Sequence, residues 1–189
     1  MEIIPPHVLL GAYTEGVFPM SDKGEILWFA PLMRGLIPLD DRFHIPHGLQ
    51  RTLRKNRYEV RINTAFDKVI AQCSKRDETW IDDIIRSSYS HLHELGYCYS
   101  FESWDDAGLQ GGLYGVAIGR AFFGESMFSK ERDASKCALA YLVHRLRAAG
   151  FILCDTQFLT DHFPTKKWNL EYCFLTSHFQ QLMFLQRIQ

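Results

Sequence analysis

The feature that most constrains the fold is a run of four predicted elements between residues 112 and 154. Residues 112–118 and 121–127 read as strands on either side of Gly119-Arg120, a pair typical of a two-residue hairpin turn. Residues 134–149 carry apolar side chains at helical spacing and end at Gly150. The apolar residues 151–154 predict a buried strand. This order favours an α/β (α+β) fold.

The first 60 residues have a different character, because six of the seven prolines lie before residue 50. We expect a small N-terminal domain over residues 1–60, built from short strands and helices, and a larger domain over residues 61–189. Further elements are predicted as helices at 49–57, 64–73 and 81–95, as strands at 58–63 and 97–104, and as an aromatic-rich segment at 170–185 that packs on the core.

The composition is that of an ordinary soluble protein, with 47% hydrophobic and 23% charged residues. The net charge of −1 argues against nucleic-acid binding by the whole molecule, so an RNA contact needs a local basic patch. Five cysteines without a CxxC pair argue against a disulfide framework or a zinc site. With no secretory signal and no apolar run of membrane-spanning length in the sequence, we expect a cytoplasmic protein without membrane contact.

Four glycines interrupt the predicted hairpin at positions 111, 112, 115 and 124. Glycine weakens a strand unless a bulge or a close approach requires the missing side chain. The sequence leaves two interpretations equally open, namely a pair of bulges or a ligand that lies against the sheet.

Three polar residues stand out in apolar surroundings. Regular alternation places Glu125 on the same face of its strand as Phe123 and Met127, where a carboxylate is costly unless it has partners. Asp155 and Gln157 end a buried strand on one shared face, at the kind of strand end where α/β sheets bind ligands. Exposure at a sheet edge or in a solvated loop is the alternative for each.

Other clusters indicate chemistry less specifically. Cys154 with His162 as base suggests a nucleophile, but the predicted burial favours an unreactive core thiol. The histidine pairs at 44 and 47 and at 91 and 93 lack helical metal-ligand spacing, and we predict no metal. The candidate phosphate contacts are basic residues that would otherwise be a solvated helix face: Arg51, Arg54, Lys55, Arg57 and the later pair Lys166-Lys167.

The order of these motifs resembles the bacterial leucyl/phenylalanyl-tRNA–protein transferase family over roughly residues 8–162. The densest part runs from Gly111-Gly-Leu-Tyr-Gly115 through Gly124-Glu-Ser-Met-Phe-Ser129 to Asp155-Thr-Gln157. The remaining matches are Leu9–Tyr13, Gly16–Met20, Trp28, Pro31, Arg34-Gly35, Pro38–Asp40, Phe43-His44, Asn63–Phe66, Thr79–Ile81, Tyr89, His93, Gly96 and Ala134–Lys136.

The resemblance implies a small N-terminal domain followed by a domain similar to the acetyltransferase (GNAT) fold. It implies transfer of Leu, Phe or Met from the 3′ end of aminoacyl-tRNA to proteins that begin with Arg or Lys, which marks them for degradation. No cofactor is implied, and we expect a monomer. The catalytic pair would be Gln157, which orients the attacking amine, and Asp155, which polarises Gln157.

The same resemblance assigns substrate contacts. Glu125 would lie near the cationic acceptor, with Ser126 beside it. The apolar pocket for the transferred side chain would include Phe122, Phe123, Met127 and Phe128, and Trp28 and Trp80 would stack on the terminal adenosine or form the pocket rim.

The chain departs from the family pattern after His162, where it continues Phe163-Pro-Thr-Lys-Lys-Trp-Asn169, and also at Met33 and Thr156. Two other functions fit parts of the sequence. A CoA-dependent N-acetyltransferase would need a glycine-rich turn before the helix, but residues 130–136 contain none. A non-catalytic tRNA-binding module would bind tRNA without transfer.

Overall fold

The computed structural model describes residues 2–76, 78–158 and 171–174. Five helices lie in this part of the chain: α1 (Pro6–Thr14), α2 (His47–Arg54), α3 (Phe66–Cys73), α4 (Asp83–Glu94) and α5 (Ala134–Ala148). Its nine strands are β1 (Phe18–Asp22), β2 (Glu25–Phe29), β3 (Met33–Leu36), β4 (Glu59–Ile62), β5 (Cys98–Asp105), β6 (Gly108–Ile118), β7 (Ala121–Ser129), β8 (Leu153–Asp155) and β9 (Glu171–Phe174).

Seven of these strands form one mixed sheet in the order β4-β5-β6-β7-β8-β3-β9. Strands β4 to β7 are antiparallel neighbours, whereas β8 runs parallel to β7 because α5 carries the chain back between them. The predicted α/β (α+β) class and the order of hairpin, helix and strand are confirmed. The predicted two-residue turn is also confirmed, since Ile118 pairs with Ala121 across Gly119-Arg120.

The strands of this sheet come from both sides of residue 60. Strand β3 lies between β8 and β9, and β4 pairs with β5. Strands β1 and β2 form a separate two-stranded hairpin. The division into domains at residue 60 stays a prediction. No helix in the described ranges is both long and apolar enough to span a membrane.

Each face of the large sheet buries a separate apolar cluster. Helices α1, α3 and α4 contribute to one cluster together with Phe123 of β7. Helix α5 supplies much of the other, together with Phe122, which is the neighbouring residue of the same strand. Successive strand residues point to opposite faces, so β7 contributes to both halves of the core.

The start of helix α5 packs directly against strand β6 at Gly111, where a side chain would collide with it. A Cβ atom on Gly111 would lie 2.7 Å from the Cβ atom of Ala134 and 2.7 Å from the backbone nitrogen of Ser135. A Cβ atom on Gly115 would lie 2.3 Å from the carbonyl oxygen of Phe123. The glycines at these two positions are therefore explained by contacts within the protein.

Strand β7 contains a β-bulge at Glu125. Tyr114 pairs with Ser126 and Gly115 pairs with Gly124, so Glu125 is the extra residue opposite the β6 strand. This confirms a bulge as one of the two explanations for the interrupted hairpin.

The bulge reverses the alternation of side chains beyond it. Before it, Phe122 packs into the α5 cluster and Phe123 into the opposite cluster. After it, Met127 packs against the α5 cluster and Phe128 against the other. The expectation that Phe123 and Met127 share a face was wrong, because the bulge inserts one extra residue between them and regular alternation does not allow for it.

The bulge also marks the point where β7 and β8 separate. The last pair between them joins Phe123 and Asp155, where β8 ends, whereas β7 continues to Ser129. An opening results between the end of β8 and the second half of β7. Polar residues in the second half of β7 and directly after the end of β8 therefore face the same opening.

Candidate active site

A cavity of about 620 Å³ occupies the opening between β7 and β8. Eight of the ten predicted catalytic and substrate-contact residues line it: Trp80, Phe122, Glu125, Ser126, Met127, Phe128, Asp155 and Gln157. The strand end therefore brings together the two predicted catalytic residues and most of the predicted substrate contacts.

Two predicted substrate contacts are not among the residues that line this cavity. Phe123 is fully buried on the α1 side of the sheet, where its ring centroid lies 5.1 Å from that of Tyr13. Trp28 lies on β2 of the separate hairpin and is 42% exposed. The structure thus gives Phe123 a place in the core and leaves Trp28 on the surface.

The backbone of Gln157 is held in an unusual conformation. Its φ angle is +61°, in the left-handed region that costs a residue with a side chain roughly 1–2 kcal/mol. The Gln157 N–H donates to Oδ1 of Asp155 at 2.7 Å, and its carbonyl accepts from the Gly35 N–H at 3.2 Å. These contacts fix the point from which the Gln157 side chain enters the cavity.

Asp155 is held in turn by Arg34 on β3. The Arg34 guanidinium donates to Oδ2 of Asp155, and the two side chains are 1% and 0% exposed. Arg34 also donates to the carbonyl of Gly16 at 2.9 Å and lies 5.2 Å from the ring centroid of Phe18. Burial raises the pKa of Asp155, and the neighbouring guanidinium opposes this rise.

This arrangement changes the role expected of Asp155. Its two carboxylate oxygens contact Arg34 and the backbone N–H of Gln157, whereas the Gln157 side-chain amide donates to Oε1 of Glu125 at 2.6 Å. The expected polarisation would need a contact between the Asp155 carboxylate and the Gln157 side-chain amide. The hydrogen bonds of these two groups go to other partners. The contacts of the fully buried Asp155 carboxylate are with Arg34 and with the backbone of Gln157.

The Glu125 carboxylate is surrounded by hydrogen-bond donors. Tyr13 of α1 donates to Oε1 at 2.6 Å, Tyr89 of α4 donates to Oε2 at 3.2 Å, and the two phenol oxygens also contact each other. Burial raises the pKa of Glu125 to about 7, although the bonds from Tyr13 and Tyr89 oppose this rise. No salt bridge to Glu125 is formed by the described lysines and arginines.

Arg34, Tyr13 and Tyr89 were not predicted as site residues. Each lies far from Glu125 or Asp155 in sequence, and nothing in its local pattern distinguishes it from an ordinary core residue. The available signal was that all three fall within segments that match the family pattern. That signal identified the segments without indicating which side chain reaches the site.

One part of the cavity is apolar and lies on the α5 side of the sheet. Its lining includes Phe122 and Met127, joined by five residues that sequence analysis did not select as pocket residues: Ile37, Leu113, Leu139, Leu142 and Cys154. Burial raises the pKa of the Cys154 thiol well above its usual value, which agrees with an unreactive core thiol. His162, its suggested base, lies outside the described residues.

Basic residues line another part of the cavity: Lys75, Arg76, Lys130 and Lys136. Arg76 donates to the carbonyl of Met127 at 2.5 Å. The predicted phosphate contacts lie elsewhere. Arg51, Arg54 and Lys55 are exposed on or directly after α2, and Arg57 forms an ion pair with Glu131 at 2.9 Å. Lys166-Lys167 lies outside the described residues.

The histidine pairs have contacts of other kinds. His93 Nδ1 lies 2.7 Å from the carbonyl oxygen of Cys98, His91 lies 3.1 Å from Glu94, and the rings of His44 and His47 are 6.3 Å apart. Over the part of the chain that the structure describes, no group of three potential ligands could hold a metal ion.

Comparison with known proteins identifies relatives over most of the chain. Residues 36–167 match the family described as leucyl/phenylalanyl-tRNA protein transferase, and residues 3–32 match the N-terminal domain of that family. The chain is 54% identical over 164 residues to a leucyl/phenylalanyl-tRNA–protein transferase of Akkermansia muciniphila, covering 84% of this chain and 85% of that protein.

Two further relatives carry the same name. The protein of Herpetosiphon aurantiacus is 51% identical over 162 residues, with 86% of this chain and 85% of that protein covered. The protein of Nitrobacter winogradskyi is 54% identical over 166 residues, with 84% of this chain and 73% of that protein covered. The two family matches contain all the residues that line the cavity, whereas Arg34 and Gly35 lie in the three-residue gap between them.

Proposed function

The chain belongs to the leucyl/phenylalanyl-tRNA–protein transferase family, and from this we propose that the Gln157 cavity is where it transfers an amino acid from tRNA to a protein N-terminus. The observation that carries the proposal is the buried series Arg34, Asp155 and Gln157, which presents one side-chain amide to the cavity. The enzyme is an aminoacyltransferase, and its product is tagged for degradation.

The apolar part of the cavity is the proposed pocket for the transferred side chain. Met127, Phe122 and Leu113 present no charge there, which suits Leu, Phe or Met. Discrimination among these three is weak, because one methylene group changes binding by only about 1–3 kcal/mol. Methionine at position 127 also adapts to side chains of different shape.

The 3′ end of the tRNA is proposed to enter from the side lined by Trp80. Its indole can stack on the terminal adenine, which is worth about 1–3 kcal/mol in other nucleic-acid complexes. Lys130 and Lys136 at the cavity supply positive charge for nearby phosphate groups.

The acceptor is proposed to be a protein that begins with Arg or Lys. Asp155 is paired with Arg34, so Glu125 is the remaining carboxylate among the described residues that line this cavity, and it supplies local negative charge when ionised. An acceptor that carries a cationic side chain beside its α-amino group is favoured in such a field.

The chemistry requires little beyond correct placement. An α-amino group has a pKa of about 7.7–8.0, so on the order of a tenth is neutral at pH 7. Its nitrogen attacks the ester carbonyl carbon, the bond to the ribose oxygen breaks, and that oxygen receives a proton from the attacking nitrogen. We propose that the neighbouring ribose hydroxyl relays this proton, while the Gln157 amide oxygen accepts a hydrogen bond from the amine and orients it.

A direct test measures ribosome-free transfer of labelled Leu, Phe or Met from charged tRNA to a reporter protein. Reporters that begin with Arg or Lys should be labelled, whereas the same reporters with an acetylated N-terminus should not. Gln157→Met keeps the approximate volume of the side chain and removes the amide, so it should reduce transfer by about tenfold or more. Wild-type protein that transfers none of the three amino acids would refute the proposal.

The same assay separates the two alternatives. Transfer of an acetyl group from acetyl-CoA would indicate an N-acetyltransferase, and tRNA binding without any transfer would indicate a binding module. Fractionation and light scattering would test the further proposals that the enzyme acts in the cytoplasm and as a monomer.

A further inference from the structure

The amide of Gln157 has two chemically different ends, and only one of them suits an incoming amine. Its oxygen accepts a hydrogen bond, whereas its nitrogen donates two. Rotation by half a turn about the last side-chain bond exchanges these ends with almost no change in shape. The chemistry described above needs the oxygen to face the amine, so something must select this orientation.

The backbone contacts of Gln157 do not make this selection. The bonds from Gln157 to Asp155 and Gly35 involve its N–H and its carbonyl, and neither reaches the amide. Within the described ranges, the recorded hydrogen-bond partner of the amide is the Glu125 carboxylate, which accepts from Nε2 at 2.6 Å. An ionised carboxylate can only accept, so it requires the nitrogen end to face it.

We propose that Glu125 is a positioning residue that, by accepting a hydrogen bond from the Gln157 amide nitrogen, turns the amide oxygen toward the acceptor amine. This inference rests on the proposed function of the cavity. It gives Glu125 a task that operates through Gln157, in place of direct contact with the acceptor.

The surroundings of Glu125 support this assignment. The bulge aims its carboxylate at Gln157, and phenols from two different helices hold both of its oxygens. Three of the lone-pair sites of this carboxylate are thus already occupied by Tyr13, Tyr89 and Gln157. Little capacity is left for an acceptor cation, whereas the orientation of the carboxylate is firmly fixed.

A protonated Glu125 would remove the selection, because its O–H could donate to the amide oxygen and stabilise the opposite orientation. Burial brings the pKa of Glu125 to about 7, so this change falls near neutral pH. The titratable and charged groups that face Glu125 from the packed elements are Tyr13 on α1, Tyr89 on α4, Cys98 on β5, Tyr114 on β6, Asp155 on β8 and Arg34 on β3.

A double-mutant cycle tests whether Glu125 acts through Gln157. Glu125→Gln can present either amide end to Gln157, so it should lower single-turnover transfer by about tenfold or more while leaving tRNA binding within about twofold. In the Gln157→Met background, adding Glu125→Gln should change the remaining rate by less than about twofold. Losses that multiply would refute the proposal and indicate direct contact with the acceptor.

The pH profile gives a second readout that a structural defect would not produce. Tyr89→Phe keeps the carboxylate and removes one of the bonds that oppose the rise in its pKa. The acid limb of single-turnover transfer should therefore move to higher pH relative to the wild type. The acceptor amine is the same in both reactions, so a shift belongs to the enzyme, and parallel profiles with an equal loss at every pH would refute the proposal.

The amide itself can be observed in protein labelled with ¹⁵N in glutamine side chains. The Gln157 NH₂ signal, assigned from its loss in Gln157→Met, should titrate near neutral pH in the wild type and stay constant in Glu125→Gln. A signal that titrates equally in both would overturn the inference. This measurement needs no transfer, so the inference can fail while the proposed function stands, and the reverse also holds.

Discussion

Arg34 and Asp155 form an ion pair across 121 residues of sequence, and both side chains are almost completely inaccessible to water. The pair joins β3 to the end of β8, and the second oxygen of Asp155 holds the backbone of Gln157. A structural contact between two strands is thus also the support for the residue that enters the cavity.

Asp155→Asn should weaken both the fold and the reaction. The substitution leaves the Arg34 charge buried without its carboxylate, which we expect to lower the free energy of unfolding by about 3–5 kcal/mol. Transfer should fall at least about tenfold in protein that is still folded, because the turn at Gln157 loses its charged acceptor. Urea denaturation and the transfer assay measure the two effects separately.

The matched control for this variant is Asp41→Asn. Asp41 forms an ion pair with Arg147 on the surface, where Asp41 is fully exposed. Its loss should change the free energy of unfolding by less than about 1 kcal/mol. Equal effects of the two substitutions would contradict the importance assigned to the buried pair.

The free energy of unfolding should depend on pH through the titration of Glu125. Its pKa is raised from 4.5 to about 7 in the folded state, so the native protein binds an extra proton between these values. Stability from this group is present below about pH 4.5 and is lost as pH rises through about 7. Wild-type protein should therefore lose up to about 3 kcal/mol relative to Glu125→Gln between pH 5 and pH 8, measured by denaturation at each pH.

The direction in which the stability of the wild type changes relative to Glu125→Gln between pH 5 and pH 8 tests this prediction. All other titrating groups are common to both proteins, so they cancel in the comparison. A wild type that gains stability relative to the variant over the same interval would show that the folded state favours the ionised carboxylate.

Gly111→Ala should displace the start of α5. The added Cβ atom would meet Ala134 and Ser135 at 2.7 Å, so the helix must move away from β6. We expect a loss of about 1–3 kcal/mol in the free energy of unfolding. Gly11→Ala is the control, because Gly11 lies inside α1 with open space around it and should gain roughly 0.5–1 kcal/mol. Thermal denaturation of both variants measures these changes, and an unchanged stability of Gly111→Ala would contradict this account.

The basic residues of α2 remain a predicted tRNA contact. Replacing Arg51, Arg54 and Lys55 together by Ala should weaken tRNA binding and reduce the slope of log affinity against log salt by up to about 3, roughly one for each lost phosphate contact. Arg61→Ala is the control, since Arg61 is paired with Glu59 on β4. An unchanged salt slope in the triple variant would remove α2 from the tRNA interface.

Local signals in the sequence predicted the central architecture well. Gly119-Arg120 and Gly150 marked turns that the structure contains, and helix and strand periods placed the elements between them to within a few residues. Asp155 and Gln157 were identifiable because a buried strand ends in polar residues there. Such signals depend on neighbours in the chain, which a single sequence displays directly.

The contacts that define the site depend on distant partners and were not predictable in the same way. Nothing local indicates that Tyr13, Tyr89 and Glu125 meet, or that Arg34 pairs with Asp155. The bulge was anticipated only as one of two options, and its position could not be fixed without the register of β6. That one-residue displacement accounts for the misplaced face of Met127.

The bulge at Glu125 has a consequence for how this strand can vary through evolution. Deleting one residue between Gly124 and Ser126 would return β7 to regular alternation and exchange the surroundings of Met127 and Phe128. The apolar part of the cavity would then lose Met127, although none of the residues that line this part had been substituted. A change in the length of strand β7 should therefore be rare among relatives.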